Sequence, residues 1–182
     1  TELGSTAEGV AVDVIDEASV AALFDGVVER HGAFDGLVNC AGVSTLSLVV
    51  DHDLAEFRRV VDVCLTGAFV VLKHAGSRIA DGGSLVTLSS LNGRQPGVGL
   101  VVYCSAKAGL QMLTQVTALE LAGRGVRVNT VSPGLVVTPL TAPAMDIPGI
   151  KDDYLANTPL GRSGEPEEIA AAAEVLCRFA PE

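Results

Sequence analysis

Ser84-Leu-Val-Thr-Leu-Ser-Ser90 is an apolar run with the β-branched content of a buried strand. Thirteen positions after its last serine comes Tyr103-Cys-Ser-Ala-Lys107, opening a helical pattern that runs to about Ala122 and stops at Gly123. The Gly-rich piece from Gly93 to Gly99 joins the two as a loop, so the stretch reads as one βα unit. The same alternation recurs on both sides. Upstream, Asp35-Gly-Leu-Val-Asn39-Cys-Ala-Gly42 is a short apolar run, a strand over Leu37 to Asn39, closed by a small-residue turn. Downstream, Val126-Arg-Val-Asn-Thr-Val-Ser-Pro133-Gly134-Leu-Val-Val-Thr138-Pro is a strand over Val126 to Val131 that ends in a Pro-Gly turn. Helical patterns lie between, over Glu17 to His31 with Gly32 as its stop, and over Leu54 to about Ala80 before the turn Asp81-Gly-Gly. Strands alternating with helices predict parallel βα units rather than an antiparallel sheet.

Val10 to Val14 is expected as a further strand, and Glu165-Pro-Glu-Glu as the start of a last helix, with proline early and acids in the first turn. From Thr138 to Pro159 the composition shifts to Pro, Ala, Met, Asp and Gly without a clean period, which predicts a mobile loop with short helical pieces. No internal repeat is visible.

With 182 residues, 48% of them hydrophobic, the chain can bury a sizeable core as a single domain over 1–182. Its formal net charge is −10, with acidic and basic residues interleaved, so nucleic acid is disfavoured as a partner. No apolar stretch is read as long enough for a membrane span and no basic-then-apolar leader is seen, so the expectation is a soluble cytoplasmic protein with no membrane partner. Cys40, Cys64, Cys104 and Cys177 are scattered and form no Cys-x-x-Cys pair, which suits reduced packing residues. His31, His52 and His74 are equally scattered and are read as surface or helix-end residues, so no metal site is expected.

Tyr103 and Lys107 stand at i and i+4, on one face of the helix they open. An ammonium beside a phenol favours the phenolate and would lower the tyrosine from its ordinary pKa of about 10. That makes an acid or base for alcohol and carbonyl chemistry. By itself this spacing is common on ordinary helices; the ordered neighbours raise its meaning.

Taken in order, Asn39-Cys-Ala-Gly42, Ser90, Tyr103 with Lys107, and Pro133-Gly134 with Thr138 resemble the short-chain dehydrogenase/reductase family, over about Val10 to Cys177. The resemblance implies an α/β fold, a three-layer doubly wound parallel sheet of Rossmann-like type. By the family's layout the first two strands, their Gly-rich phosphate turn and the last strand are missing from this sequence, which is expected to be a trimmed stretch of a longer protein rather than a true remnant of the fold. The resemblance makes Tyr103 the acid/base, Ser90 the holder of the substrate oxygen, and Lys107 a partner of both the tyrosine and the nicotinamide ribose. Cofactor contacts would come from Asp13 at the adenine amino group, the Val14 backbone, Asn39, and Ala41 and Gly42, where backbone must approach closely. Pro133, Gly134, the Val136 N–H and the Thr138 hydroxyl would shape the nicotinamide end. The cofactor is NAD or NADP, since the segment that discriminates them is not in this sequence.

The family's middle helix commonly holds an asparagine that supports a water relay behind the lysine. Cys64 takes that position here, and a thiol is a poor substitute for an amide. Substrate contacts are expected from Leu91 to Val98, Val102 and the Thr138 to Pro159 loop, giving a moderately apolar small-molecule alcohol or ketone site without a clustered Arg or Lys anchor. The family usually assembles through its two long helices, here roughly 54–80 and 104–122, which implies a homo-oligomer, a dimer or tetramer. Two other functions fit less of the pattern. A cofactor-independent relative such as a halohydrin dehalogenase typically has arginine in place of Lys107, and a non-catalytic scaffold or interaction subunit would not need Ser90, Tyr103 and Lys107 together.

Overall fold

The computed structural model describes residues 7–178. Three strands, β1 (Gly36–Asn39), β2 (Ser84–Leu88) and β3 (Arg127–Val131), form a parallel sheet in that order, with Val38 against Val86 and Val86 against Asn129. The helices are α1 (Glu17–His31), α2 (Leu54–Val61), α3 (Gly67–Arg78), α4 (Val101–Leu121), the short α5 (Ala142–Met145) and α6 (Ile150–Ala156), and α7 (Pro166–Arg178). Asp16 caps α1 by accepting from the Ala18 N–H at 3.0 Å, and Gly32, at φ 76°, ends it in a conformation that suits glycine. Asp53 caps α2 through Ala55 and Glu56.

Alternation along β2 shows the layering. Residues an odd number apart face opposite sides of a sheet. Ser84 donates to the Leu176 carbonyl of α7 at 2.9 Å, whereas Thr87 shares a 2.9 Å hydrogen bond with Thr114 of α4. So α7 covers one face and α4 the other, giving the three-layer α/β arrangement that the sequence predicts. Leu85, fully buried on the α4 side, joins Val70, Val71 and Ala75 of α3, Val20 and Phe24 of α1, and Val128 of β3 in the main core. Truncating Leu85 to alanine would cost about 2–5 kcal/mol at such a site.

Two expectations about elements fail. Val10 to Val14 is no strand: the segment is extended but unpaired, Val10 and Val12 stay exposed, and Asp13 turns it into α1 by accepting from the Ile15 N–H. A strand needs a ladder partner, and among the described residues none lies beside this one. The second concerns membrane length. α2 and α3 run on through one π turn, Asp62–Thr66, into a continuous 25-residue helix, Leu54–Arg78, which has the length and hydropathy of a membrane span. Half of its apolar window is buried inside the molecule, as in a core helix. His74 also departs from its surface reading: it lies inside α3 with a 13% exposed side chain, held between Glu17 at 3.1 Å and Arg78 at 3.1 Å.

The Thr138 to Pro159 stretch does contain the short helical pieces expected, and they are fastened. Thr141 Oγ1 donates to the Val136 carbonyl at 2.6 Å and accepts from the Thr138 N–H, while the Tyr154 hydroxyl donates to Asn92 Oδ1 at 2.9 Å.

Candidate active site

All three strands end at the same edge of the sheet, and each hands its chain to a polar or glycine-bearing turn. Asn39 closes β1 and its Oδ1 accepts from the Ala41 N–H at 3.1 Å, an Asx turn that fixes the Cys40-Ala-Gly42 backbone. Ser89 and Ser90 follow β2, and Ser132-Pro-Gly134 follows β3. Over this edge lies a cavity of about 590 Å³ whose lining includes Gly42, Ser90, Tyr103, Lys107, Pro133, Gly134, Val136 and Thr138, with Ile169, Ala170 and Ala173 of α7 as an apolar wall. Eight of the residues assigned from the sequence therefore meet in one space. Asp13, Val14, Asn39 and Ala41 do not line it. Asp13 is exposed, Val14 packs onto Gly67, where an added Cβ would come within 2.8 Å of it, and Asn39 works from beneath the turn.

α4 carries the chemistry. Tyr103 and Lys107 share its inner face, with the Lys107 Nζ 5.6 Å from the centre of the tyrosine ring. Lys107 is 4% exposed and donates to the Leu88 carbonyl at 2.7 Å. Burial pushes the Tyr103 phenol above its ordinary range, opposed by the nearby Ser90 hydroxyl, and burial holds the Lys107 ammonium below its own. The expected depression of the phenol by Lys107 is thus not what this state shows. Removal from water disfavours the charged form of both groups.

A second, smaller cavity of about 100 Å³ adjoins the first and shares Ser90, Tyr103, Gly134, Leu140 and Thr141 with it. Its remaining lining is Ser44, Asn92, Leu100, Leu135, Ala144, Met145, Ile150, Lys151 and Tyr154. Expected contacts from Asn92 and the Thr138 to Pro159 stretch are present. Val102 is not: it is fully buried beside Val60, Cys64 and Ala106, because one step along the helix from Tyr103 turns a side chain by about 100°.

Sequence reasoning missed Gln111 and Ser89. Gln111, 7% exposed, extends the Tyr103 and Lys107 face by one more turn. Its Nε2 donates to Ser89 Oγ at 3.2 Å and the Ser90 carbonyl at 3.3 Å, and its Oε1 accepts from Arg94 at 3.1 Å. Ser89 in turn donates to the Lys107 carbonyl at 3.0 Å. Gly93 makes room for this network, since a Cβ there would stand 2.4 Å from Gln111 Nε2. The i, i+4, i+8 spacing from Tyr103 was the available signal.

Cys64 sits in the π turn, fully buried, and its thiol donates to the Val43 carbonyl at 3.1 Å and accepts from the Val43 N–H at 3.3 Å. The thiol's donor and its acceptor are thus both used at the Val43 backbone. The site also suits a flat, partly apolar cofactor end. A Cβ on Gly42 would already touch Lys107 Nζ at 3.5 Å and Cys64 Sγ at 3.8 Å, so a larger side chain would fill the space between turn and lysine. Val137 donates to Gly164 and Gly164 to Leu135, a bridge that does not use the Val136 N–H.

Comparison with known proteins agrees with this geometry. A family model described as Enoyl-(Acyl carrier protein) reductase matches residues 1–180. Trans-4-hydroxycyclohexanecarboxylate dehydrogenase of Sinomonas cyclohexanicum is 40% identical over 162 residues, 88% of this chain and 60% of that protein. The 3beta-hydroxysteroid dehydrogenase 1 of Eggerthella lenta is 37% identical, over 96% of this chain and 68% of that protein. Among solved structures, a short-chain type dehydrogenase/reductase from Mycobacterium ulcerans superposes with a TM-score of 0.87 at 35% identity, covering 91% of this chain and 62% of that one. The chain thus spans about 60–68% of the length of these three proteins.

Proposed function

Because the chain belongs to the short-chain dehydrogenase/reductase family, we propose that it carries the catalytic half of an oxidoreductase that interconverts a secondary alcohol and a ketone. The observation that carries this reading is the meeting of Ser90, Tyr103 and Lys107 in one cavity at the strand ends, with Ser90 and Tyr103 also walling the smaller cavity beside it. Tyr103 takes the hydroxyl proton in oxidation and returns it in reduction. Ser90 holds the same oxygen, which fixes the reacting carbon and polarises a carbonyl. Lys107, buried and tied to Leu88, places a positive charge behind the tyrosine. A nicotinamide dinucleotide, NAD or NADP, supplies the hydride acceptor or donor. Gly42, Pro133, Gly134, Val136 and Thr138, with Lys107, would hold its nicotinamide end, and Asn39 and Ala41 would shape the turn beneath it; Asp13 and Val14 remain the proposed adenine contacts.

The substrate is a small molecule, and the smaller cavity, with Leu100, Leu135, Leu140, Ala144, Met145 and Ile150 among its walls, suits a partly apolar body. The free state of all four cysteines accords with a reducing compartment such as the cytoplasm. Phe69 on α3 and Met112, Val116 and Leu119 on α4 are exposed apolar residues that accord with a homo-oligomer.

Titrating the full-length protein with NADH and NADPH, followed by fluorescence, tests the reading. Binding of one of them, with Tyr103→Phe losing about 10²–10⁴-fold in kcat and keeping cofactor affinity within a few-fold, is the expected result. A Tyr103→Phe variant with more than about a tenth of wild-type kcat would remove the acid/base assignment. Absence of binding and turnover would return the non-catalytic reading.

A further inference from the structure

The smaller cavity has an uneven charge. Among its lining residues there is one permanent cation, Lys151, and no carboxylate, in a chain whose formal net charge is −10. Lys151 makes no ion pair among the described residues, although Asp152 and Asp153 follow it directly; neighbours one and two along a helix do not face each other. The element that presents it is fixed. Ile150 and Tyr154, one turn apart on α6, line the same cavity, and the Tyr154 hydroxyl is tied to Asn92 Oδ1 at 2.9 Å, two residues beyond Ser90. Lys151, itself exposed to solvent, stands at the rim of a space that Ser90 and Tyr103 also line, with Leu100, Leu135, Met145 and Ile150 as apolar walls.

We propose that Lys151 anchors an anionic group of the substrate, so that the preferred substrate is a small hydroxy or oxo acid, its alcohol or ketone at Ser90 and Tyr103 and its carboxylate at α6. This rests on the dehydrogenase reading for the reacting end only. A cation at the rim of a cavity holds a carboxylate by a charge-assisted hydrogen bond, and with no carboxylate among the lining residues that charge is left for the ligand. The small size of the cavity sets the upper limit on the body between the two polar ends. Tyr154 serves as the fastening that keeps α6, and with it Lys151, at the cavity.

The test compares cyclohexanecarboxylate with cyclohexanecarboxamide, equal in shape and different in charge, by calorimetry on the full-length protein with NAD or NADP present. The carboxylate is expected to bind at least tenfold more tightly, with the margin shrinking as salt rises. Lys151→Gln should bring the two to parity, and Lys151→Arg should retain most of the preference. Equal binding in the wild type, no detectable carboxylate binding at 10 mM, or a preference that survives Lys151→Gln would each overturn the proposal. Turnover separates it from the dehydrogenase reading. If 4-hydroxycyclohexanecarboxylate and its methyl ester are oxidised equally well, the anchor is wrong and the dehydrogenase reading stands; if the binding preference depends on Lys151 but neither compound reduces NAD or NADP, the anchor stands and that reading fails.

Discussion

At the scale of single residues, the site depends on how Ser90 is held. Burial pushes the Tyr103 phenol up while the Ser90 hydroxyl pulls it down, so the two effects set the pH at which the base form is present. Ser90→Ala removes only the downward pull. The limb of the kcat/KM profile for alcohol oxidation that rises with pH should therefore move to higher pH, measured across pH 6–10 in the full-length protein; a limb that stays in place or moves down would separate Ser90 from the phenol. Gln111 acts through the same residue. Gln111→Met keeps the volume but loses the bonds to Ser89 and the Ser90 carbonyl, and should cost about tenfold in kcat. In a Ser90→Ala background the same change should cost almost nothing further, whereas additive losses would make Gln111 a general packing residue. Tyr103 and Lys107 were legible in the sequence because a helix brings i and i+4 together without help from the fold. Gln111 and Lys151 were not, since their meaning depends on which strand end and which cavity the fold sets against them. Cys64 was visible as an oddity, but only the turn at Val43 shows what its thiol does.

At the scale of elements, the start of α7 carries an acid-sensitive contact. Glu168 accepts from the Glu165 N–H and grips Arg162 through both carboxylate oxygens, a capping arrangement that lowers its pKa to about 2. A carboxyl with a folded pKa below its unfolded value of about 4.5 contributes stability above pH 4.5, and that contribution is lost as pH falls from there towards 2. Glu168→Gln should thus lower the melting temperature at pH 7, with the gap to wild type closing as pH drops through that window. A gap of constant size would mean the charge on Glu168 does not matter to α7. Element types were readable wherever periodicity and caps were both local, as with Asp16 and Gly32 around α1. They were misread at Val10 to Val14, where β-branched residues supplied the pattern but pairing, which is non-local, supplied no partner.

At the scale of the whole molecule, α3 and α4 leave Phe69 and Val116 exposed at a shallow groove between them, and Met112 and Leu119 exposed elsewhere on α4. If copies pair through these exposed residues, Leu119→Lys, a change at a residue 79% exposed, should shift the full-length protein towards monomer in sedimentation without lowering its melting temperature as a monomer. An unchanged mass would move the contact to another face. Parallel pairing was legible in the sequence from strand and helix alternation, and the three layers from the family resemblance; the division of the site into two chambers was not, because it depends on where Leu140 and Thr141 return to the strand ends. That division has a thermodynamic result. The partition of Ser90, Tyr103, Gly134, Leu140 and Thr141 belongs to both chambers, so an occupant that shifts it on one side alters the fit on the other. Linkage makes the influence mutual: whatever factor the occupant of the larger chamber applies to affinity in the smaller one, it receives in return.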